Sequence, residues 1–202
     1  TYHNLIVNTT SGAAHTITLP ARNLTIYGDM TVMGNGNTTN SGTGTPATTA
    51  REYSIEGDLN ILSGLLEYRN NVAHKITVLG NTNIASAGKF GVNANASGTN
   101  ELNLYGNLTN EGSFDMNQSA GHQTLTYFKG TSNDSIKGGG TTYDFYNLTV
   151  DKGSNAIPVL YLQSNITTGF TDPFLTLLNG TFRVDGPNVT VSTVSAFVIP
   201  QT

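Results

Sequence analysis

Glycine followed by aspartate or asparagine recurs at the same place in four successive segments, each flanked by short runs of alternating apolar and polar residues. The segments are Asn23-Leu-Thr-Ile-Tyr-Gly-Asp-Met-Thr-Val32, Tyr53-Ser-Ile-Glu-Gly-Asp-Leu-Asn-Ile61, Ile76-Thr-Val-Leu-Gly-Asn-Thr-Asn-Ile84 and Leu102-Asn-Leu-Tyr-Gly-Asn-Leu-Thr109. Their glycines, Gly28, Gly57, Gly80 and Gly106, lie 29, 23 and 26 residues apart, and Gly130 follows 24 later. A second pattern, Gly-x-apolar-x-apolar, occupies Gly64-Leu-Leu-Glu-Tyr68, Gly88-Lys-Phe-Gly-Val92 and Gly112-Ser-Phe-Asp-Met116, spaced by 24 and 24, and returns at Gly180-Thr-Phe-Arg-Val184. A unit this short cannot bury an apolar face alone. Stacked on copies of itself it can, so the period directs the chain toward a solenoid.

Alternation sets the two sides of each strand. Leu24/Ile26, Ile76/Val78 and Leu102/Leu104 point inward, while Thr25, Thr77 and Asn103 point outward. Met30/Val32, Leu59/Ile61, Leu66/Tyr68, Phe90/Val92 and Phe114/Met116 extend the inward set. The predicted fold is all-β: a right-handed parallel β-helix of about 24 residues per coil and roughly eight coils, on the order of 40 Å long at ~4.8 Å per coil. Residues 1–202 read as one segment of a longer protein. Leu66, Phe90 and Phe114 should form an inward ladder. Asp29, Asp58, Asn81 and Asn107 should form a corner ladder in which side chains bond neighbouring coils. A solvated turn ladder is favoured over a calcium site, because calcium gathers six to eight oxygens. The Gly/Thr/Asn-rich stretch 33–50 interrupts the rhythm and reads as a projecting loop. Tyr2-His-Asn-Leu-Ile-Val-Asn8 matches Phe145-Tyr-Asn-Leu-Thr-Val-Asp151, which suggests a higher-order block starting again.

Composition narrows the function classes. With 31 Thr, 24 Asn, 14 Ser and 23 Gly, the chain is poor in helix formers and cannot be a helical bundle. A net charge of -4 without a basic cluster argues against nucleic acid as a partner. No apolar run approaches the length of a membrane-spanning helix. The chain has 0 Cys, which excludes disulfide scaffolds, thiolate zinc sites and cysteine nucleophiles.

Tyr146-Asn-Leu-Thr-Val-Asp-Lys-Gly153, Leu162-Gln-Ser-Asn-Ile166 and Leu177-Leu-Asn-Gly-Thr-Phe-Arg-Val184 resemble the repeats of long secreted proteins of Bacteroidota. Tyr2–Asn8 with Asn23–Val32 resembles them too. The resemblance implies type 9 secretion and a place at the cell surface or outside the cell. The C-terminal sorting domain normal in that family is not recognisable in this sequence. Asp134-Ser-Ile136 resembles the O-glycosylation signal of the same phylum, which would modify Ser135.

Candidate chemistry is sparse. His3, His15, His74 and His122 lack partners at ligand spacing and read as solvated corner residues. Asp29, Glu56 and Asp58 could approach the carboxyl spacing of a polysaccharide hydrolase. The only base in register with them is Lys129, three coils on. The outward row Thr25, Ser54, Thr77, Asn103 and Thr126 could order water as an ice-binding face, but the neighbouring row of Tyr27, Glu56, Leu79 and Tyr105 breaks any Thr lattice. Asn-x-Ser/Thr triplets such as Asn8-Thr-Thr10, Asn107-Leu-Thr109 and Asn165-Ile-Thr167 follow from composition alone. Tyr27, Tyr105 and Tyr53 could form an amphipathic patch for sugar rings. The expectation is an extracellular stalk or adhesin segment with no catalytic residues, cofactor or metal of its own. Its partners would be glycans or external surfaces and the neighbouring domains of its chain. A carbohydrate-active β-helix, lyase or hydrolase, is the alternative.

Overall fold

The computed structural model describes residues 1–9, 16–20, 22–34, 38–40, 50–68, 72–93, 98–119, 122–168 and 174–192. They form a parallel β-solenoid of about 6 turns, with coils about 24 residues apart and no helix. No helix of the described residues is therefore long and apolar enough to cross a membrane.

Each coil lays one strand on each of three faces. The first face stacks Leu24–Ile26, Glu52–Ile55, Lys75–Val78, Gly98–Leu104, His122–Gly130, Asn147–Lys152 and Leu175–Asn179. A larger sheet divides into the other two faces and is held together by Leu59–Tyr68 and Thr82–Val92, long strands that run unbroken through the bend between them. Met30–Gly34, Leu108–Asn110, Asp134–Lys137, Val159–Leu162 and Thr181–Val184 belong to the second face. Ser113–Asp115, Thr142–Phe145, Ile166–Thr168 and Val191–Ser192 belong to the third. Pairing between coils is parallel throughout the described residues. The antiparallel pairing is a local one, between Asn117–Ser119 and His122–Gly130.

Register converts the repeat into columns. On the first face Leu24, Tyr53, Ile76, Leu102, Thr126, Leu148 and Leu175 lie one above another. These six steps consume between 22 and 29 residues each, and at ~4.8 Å per step the stack is about 30 Å tall. Leu24 to Leu175 covers 151 residues in these six steps, about 25 each and close to the predicted period of 24, whereas the expected eight coils were counted over all 202 residues. Inside, Leu66, Phe90 and Phe114 stack in register as predicted, and an aromatic column runs with them: Tyr68 and Phe90 lie 6.1 Å apart, Phe90 and Phe114 6.0 Å, and Phe114 and Phe145 4.9 Å. All four aromatic side chains are buried in one core cluster that runs the length of the stack.

The corner between the first and second faces is built by glycine and its successor. Gly57 N donates to Gly28 O at 3.0 Å and Gly80 N to Gly57 O at 3.0 Å. A Cβ at Gly80 would stand 2.6 Å from the carbonyl carbon and oxygen of Gly57, so only glycine allows the coils to close up here. The next residue links them. Asp29 N donates to Asn4 Oδ1 at 2.9 Å, Asp58 N to Asp29 Oδ1 at 2.8 Å and Asn81 N to Asp58 Oδ1 at 2.6 Å. Asn107 donates to Asn81 Oδ1 through its backbone N at 3.1 Å and its Nδ2 at 2.9 Å. Ser135 closes the series, donating to Asn107 Oδ1 through N at 2.9 Å and Oγ at 2.8 Å. The predicted four-residue ladder thus extends by one residue at each end.

Three expectations change. Tyr2–Asn8 and Phe145–Asp151 are not equivalent: Leu5 pairs with Met30 on the second face, whereas Leu148 pairs with Leu175 on the first. Asn147-Leu-Thr-Val150 shares its place with Asn23-Leu-Thr-Ile26 instead. Thr126 faces inward beneath Leu102, and Tyr127 takes the outward place beside Asn103. Within 33–50, Met33 and Gly34 end a second-face strand, and Thr38–Asn40 pairs with Thr16–Thr18 and with Leu65, Leu66 and Glu67. Part of that stretch therefore completes a coil. Residues 35–37 and 41–49 lie outside the described residues.

Candidate functional site

Tyr27 and Tyr105 are 54% and 36% exposed, on one column with Glu56 and Leu79 between them. Three steps separate the two rings' residues, about 14 Å along the axis, so they mark a ridge rather than one patch. Tyr53 does not join them. It is 2% exposed because it takes the inward position between Leu24 and Ile76, and its hydroxyl donates to Pro20 O at 3.3 Å. Burial pushes its phenol up to about 12, against the lowering charge of Arg51. Ser135 is 8% exposed with its hydroxyl engaged by Asn107.

His74 departs from the solvated reading. It is buried: its Nδ1 accepts from Arg51 N at 3.2 Å and its N donates to Asn100 Oδ1 at 2.9 Å, making a second corner ladder. Burial and then the Arg51 charge push its imidazole below the usual histidine range. His3 is exposed; His15 and the side chain of His122 lie outside the described residues. Asp29 and Asp58 occupy adjacent corners as predicted, each with Oδ1 taken by the backbone of the next coil. Among the described residues no group of three or more His, Cys, Asp or Glu side chains could hold a metal ion.

Two polar features had no place in the sequence reading. The first is an open cleft of about 490 Å³ at the corner between the second and third faces, toward the C-terminal end. Gly138–Gly140 form one wall, while Gln163 and Asp185 lie on the next two coils. Gln163 Nε2 donates to Asp185 Oδ2 at 3.1 Å and Ser164 Oγ to Gly138 O at 2.7 Å. Tyr143 is buried in the same wall, its hydroxyl donating to Asn110 O at 2.9 Å and also to Lys137 O; burial pushes its phenol up, keeping it neutral. Side-chain amides and a carboxylate at this corner are the chemistry that holds hydroxyl-rich ligands. The Gly138-Gly-Gly140 run was the visible signal.

The second feature is a carboxylate row on the third face. Asp115 and Asp144 are register partners one coil apart, and Glu67 lies two steps before Asp115 with Gly91 between. Asn117 ties the pair together: its N donates to Asp115 Oδ1 at 3.2 Å and its Nδ2 to Asp144 Oδ2 at 3.4 Å. Burial, then the charge of Asp115, pushes the Asp144 carboxyl above its ordinary range. Spacing across coils carried this signal, since Asp115 and Asp144 lie 29 residues apart, like Gly28 and Gly57.

Comparison with protein families, with curated protein sequences and with solved structures returned no match.

Proposed function

We propose that this β-solenoid is a stalk or adhesin segment of an extracellular bacterial surface protein, of the kind Bacteroidota export by type 9 secretion. The observation that carries the reading is the corner ladder from Asn4 to Ser135, in which each coil is bonded to its neighbour by side chain as well as by backbone. A stack bonded in this way is stiff, and each coil adds ~4.8 Å of reach, so coil number sets how far a tip stands from the cell. The Tyr27–Tyr105 ridge and the Gln163–Asp185 cleft supply contact points for glycans on that rigid support. Cells whose surface protein lacks this segment should attach or move less well while secretion continues. Unchanged attachment and motility would overturn the reading.

The Asp115–Asp144 pair favours one second reading, a polysaccharide hydrolase, because a carboxyl raised by burial can serve as the acid beside a second carboxyl one coil away. Turnover of a polysaccharide by the purified chain, abolished by Asp144→Asn, would establish it. No turnover across a glycan panel would remove it.

A further inference from the structure

The glycine column at the corner between the first and second faces is broken at one position among the described residues. Gly130 pairs with Lys152, and a Cβ on Gly180 would meet the Lys152 Cβ at 2.9 Å. A long cationic side chain thus stands between two corner glycines. It is 0% exposed, folded back so that Nζ donates to Lys129 O at 2.9 Å and to the Asp134 carboxylate. Asp134 is itself only 5% exposed. It opens a second-face strand, one coil before the first-face strand that ends in Lys152, so the contact joins successive coils across the corner.

An ion pair is an expensive occupant for such a place, since withdrawing two charges from water costs about as much as their attraction returns. The donor count is also unbalanced. An ammonium carries three N–H groups, and among the described residues Nζ reaches two acceptors, whereas an amide nitrogen carries one N–H, which Lys129 O already stands ready to accept.

We propose that Lys152 and Asp134 condense to an intramolecular isopeptide bond. Proton transfer within the pair turns ammonium and carboxylate into neutral amine and carboxylic acid, the forms that burial favours. Burial also pushes the Asp134 carboxyl up, against the opposing pull of Lys152. The Nζ lone pair adds to Cγ of Asp134. The new C–N bond forms, the C–O bond to the hydroxyl breaks, and the hydroxyl leaves as water with a proton from the nitrogen. Nothing is oxidised or reduced and no co-reactant is needed. Confinement supplies the driving proximity, with effective molarities of about 10⁵–10⁸ M for well-oriented groups. The product keeps one N–H on Lys129 O and carries no charge.

The test is the intact mass of the purified full chain. The expected mass is that of the sequence less one water, and Lys152→Arg and Asp134→Ala should each restore the full sequence mass. After denaturation, trypsin should fail to cut at Lys152 and should release a branched peptide containing both residues. The full sequence mass, with cleavage at Lys152, would leave an ion pair only and overturn the proposal. So would a lost water that fragment spectra assign elsewhere.

Discussion

Asp58 and Asn81 meet at a single oxygen: Asp58 Oδ1 accepts the backbone N–H of Asn81 at 2.6 Å and its side-chain amide at 3.3 Å. Asn81 Oδ1 in turn receives both donors of Asn107. Asn81→Ala leaves the Asn107 backbone N–H without this partner and should lower unfolding free energy by about 1–3 kcal/mol. Asn81→Asp keeps the acceptor but adds a third carboxylate to the Asp29–Asp58 row. It should destabilise at neutral pH and recover on acidification as the introduced carboxylate loses its charge. Urea unfolding at both pH values checks this; equal midpoints for Asn81→Asp and the parent at neutral pH would show that the rungs are electrostatically independent.

Gly80→Ala should be among the most damaging single substitutions in the chain. Its Cβ would meet the Asp58 carboxylate and also the backbone of Gly57 at 2.6 Å, which cannot swing away, so a cost on the order of 3 kcal/mol is expected. Gly139→Ala is the control, since its Cβ meets only the Glu111 carboxylate at 3.2 Å and should change the thermal midpoint little.

Phe114→Ala removes the middle of the aromatic column and opens a cavity between Phe90 and Phe145. The expected loss is about 3–5 kcal/mol by chemical denaturation. A loss below 1 kcal/mol would mean that the column collapses onto itself.

The fold was legible because inward apolar residues repeat at the coil period. Phe90 and Phe114 share their position in the Gly-x-apolar-x-apolar pattern and their place in the core. What escaped the reading were residues whose partners sit a coil away with no period of their own. Tyr53 looked like a surface ring because its hydroxyl suggests water, yet Pro20 O satisfies it inside. His74 is held by Arg51 and Asn100, and nothing in its neighbourhood along the chain announces either. Thr38–Asn40, which pairs with Leu65, Leu66 and Glu67, has no apolar residue to mark it as a strand. For Asp144 the coil spacing from Asp115 was there to be read, but its perturbation arises from burial and Asp115, neither of which alternation reveals.

Asp144→Asn should stabilise the fold at neutral pH. The folded-state carboxyl is raised above its ordinary 3.8, so the native state binds its proton more readily than the unfolded chain. Its ionisation therefore removes stability as pH rises through the folded value. The gain from Asn should be full at pH 7, shrink as pH falls through the folded value and be gone below 3.8. A gain independent of pH would assign the effect to packing.

His74 carries the opposite sign. With its imidazole lowered from 6.5, the unfolded chain takes up the proton first, and stability should fall as pH drops below that value. A His74→Gln variant should lose that slope in thermal unfolding between pH 7 and 5, whatever its absolute stability.

The rungs of the corner that runs from Asn4 to Ser135 all point one way, opposite to those of the Arg51–His74–Asn100 ladder. Each side-chain oxygen belongs to the earlier coil and each donor to the later one, from Asn4 receiving Asp29 to Asn107 receiving Ser135. A coil already in place therefore offers an open socket to the residue that follows it in the chain, while a coil formed first at the far end offers only plugs. Assembly that starts at the N terminus, as when a chain emerges from a ribosome or a pore, finds its next docking point waiting at every turn. That corner has a built-in arrow of growth, and it coincides with the direction in which the polypeptide is made.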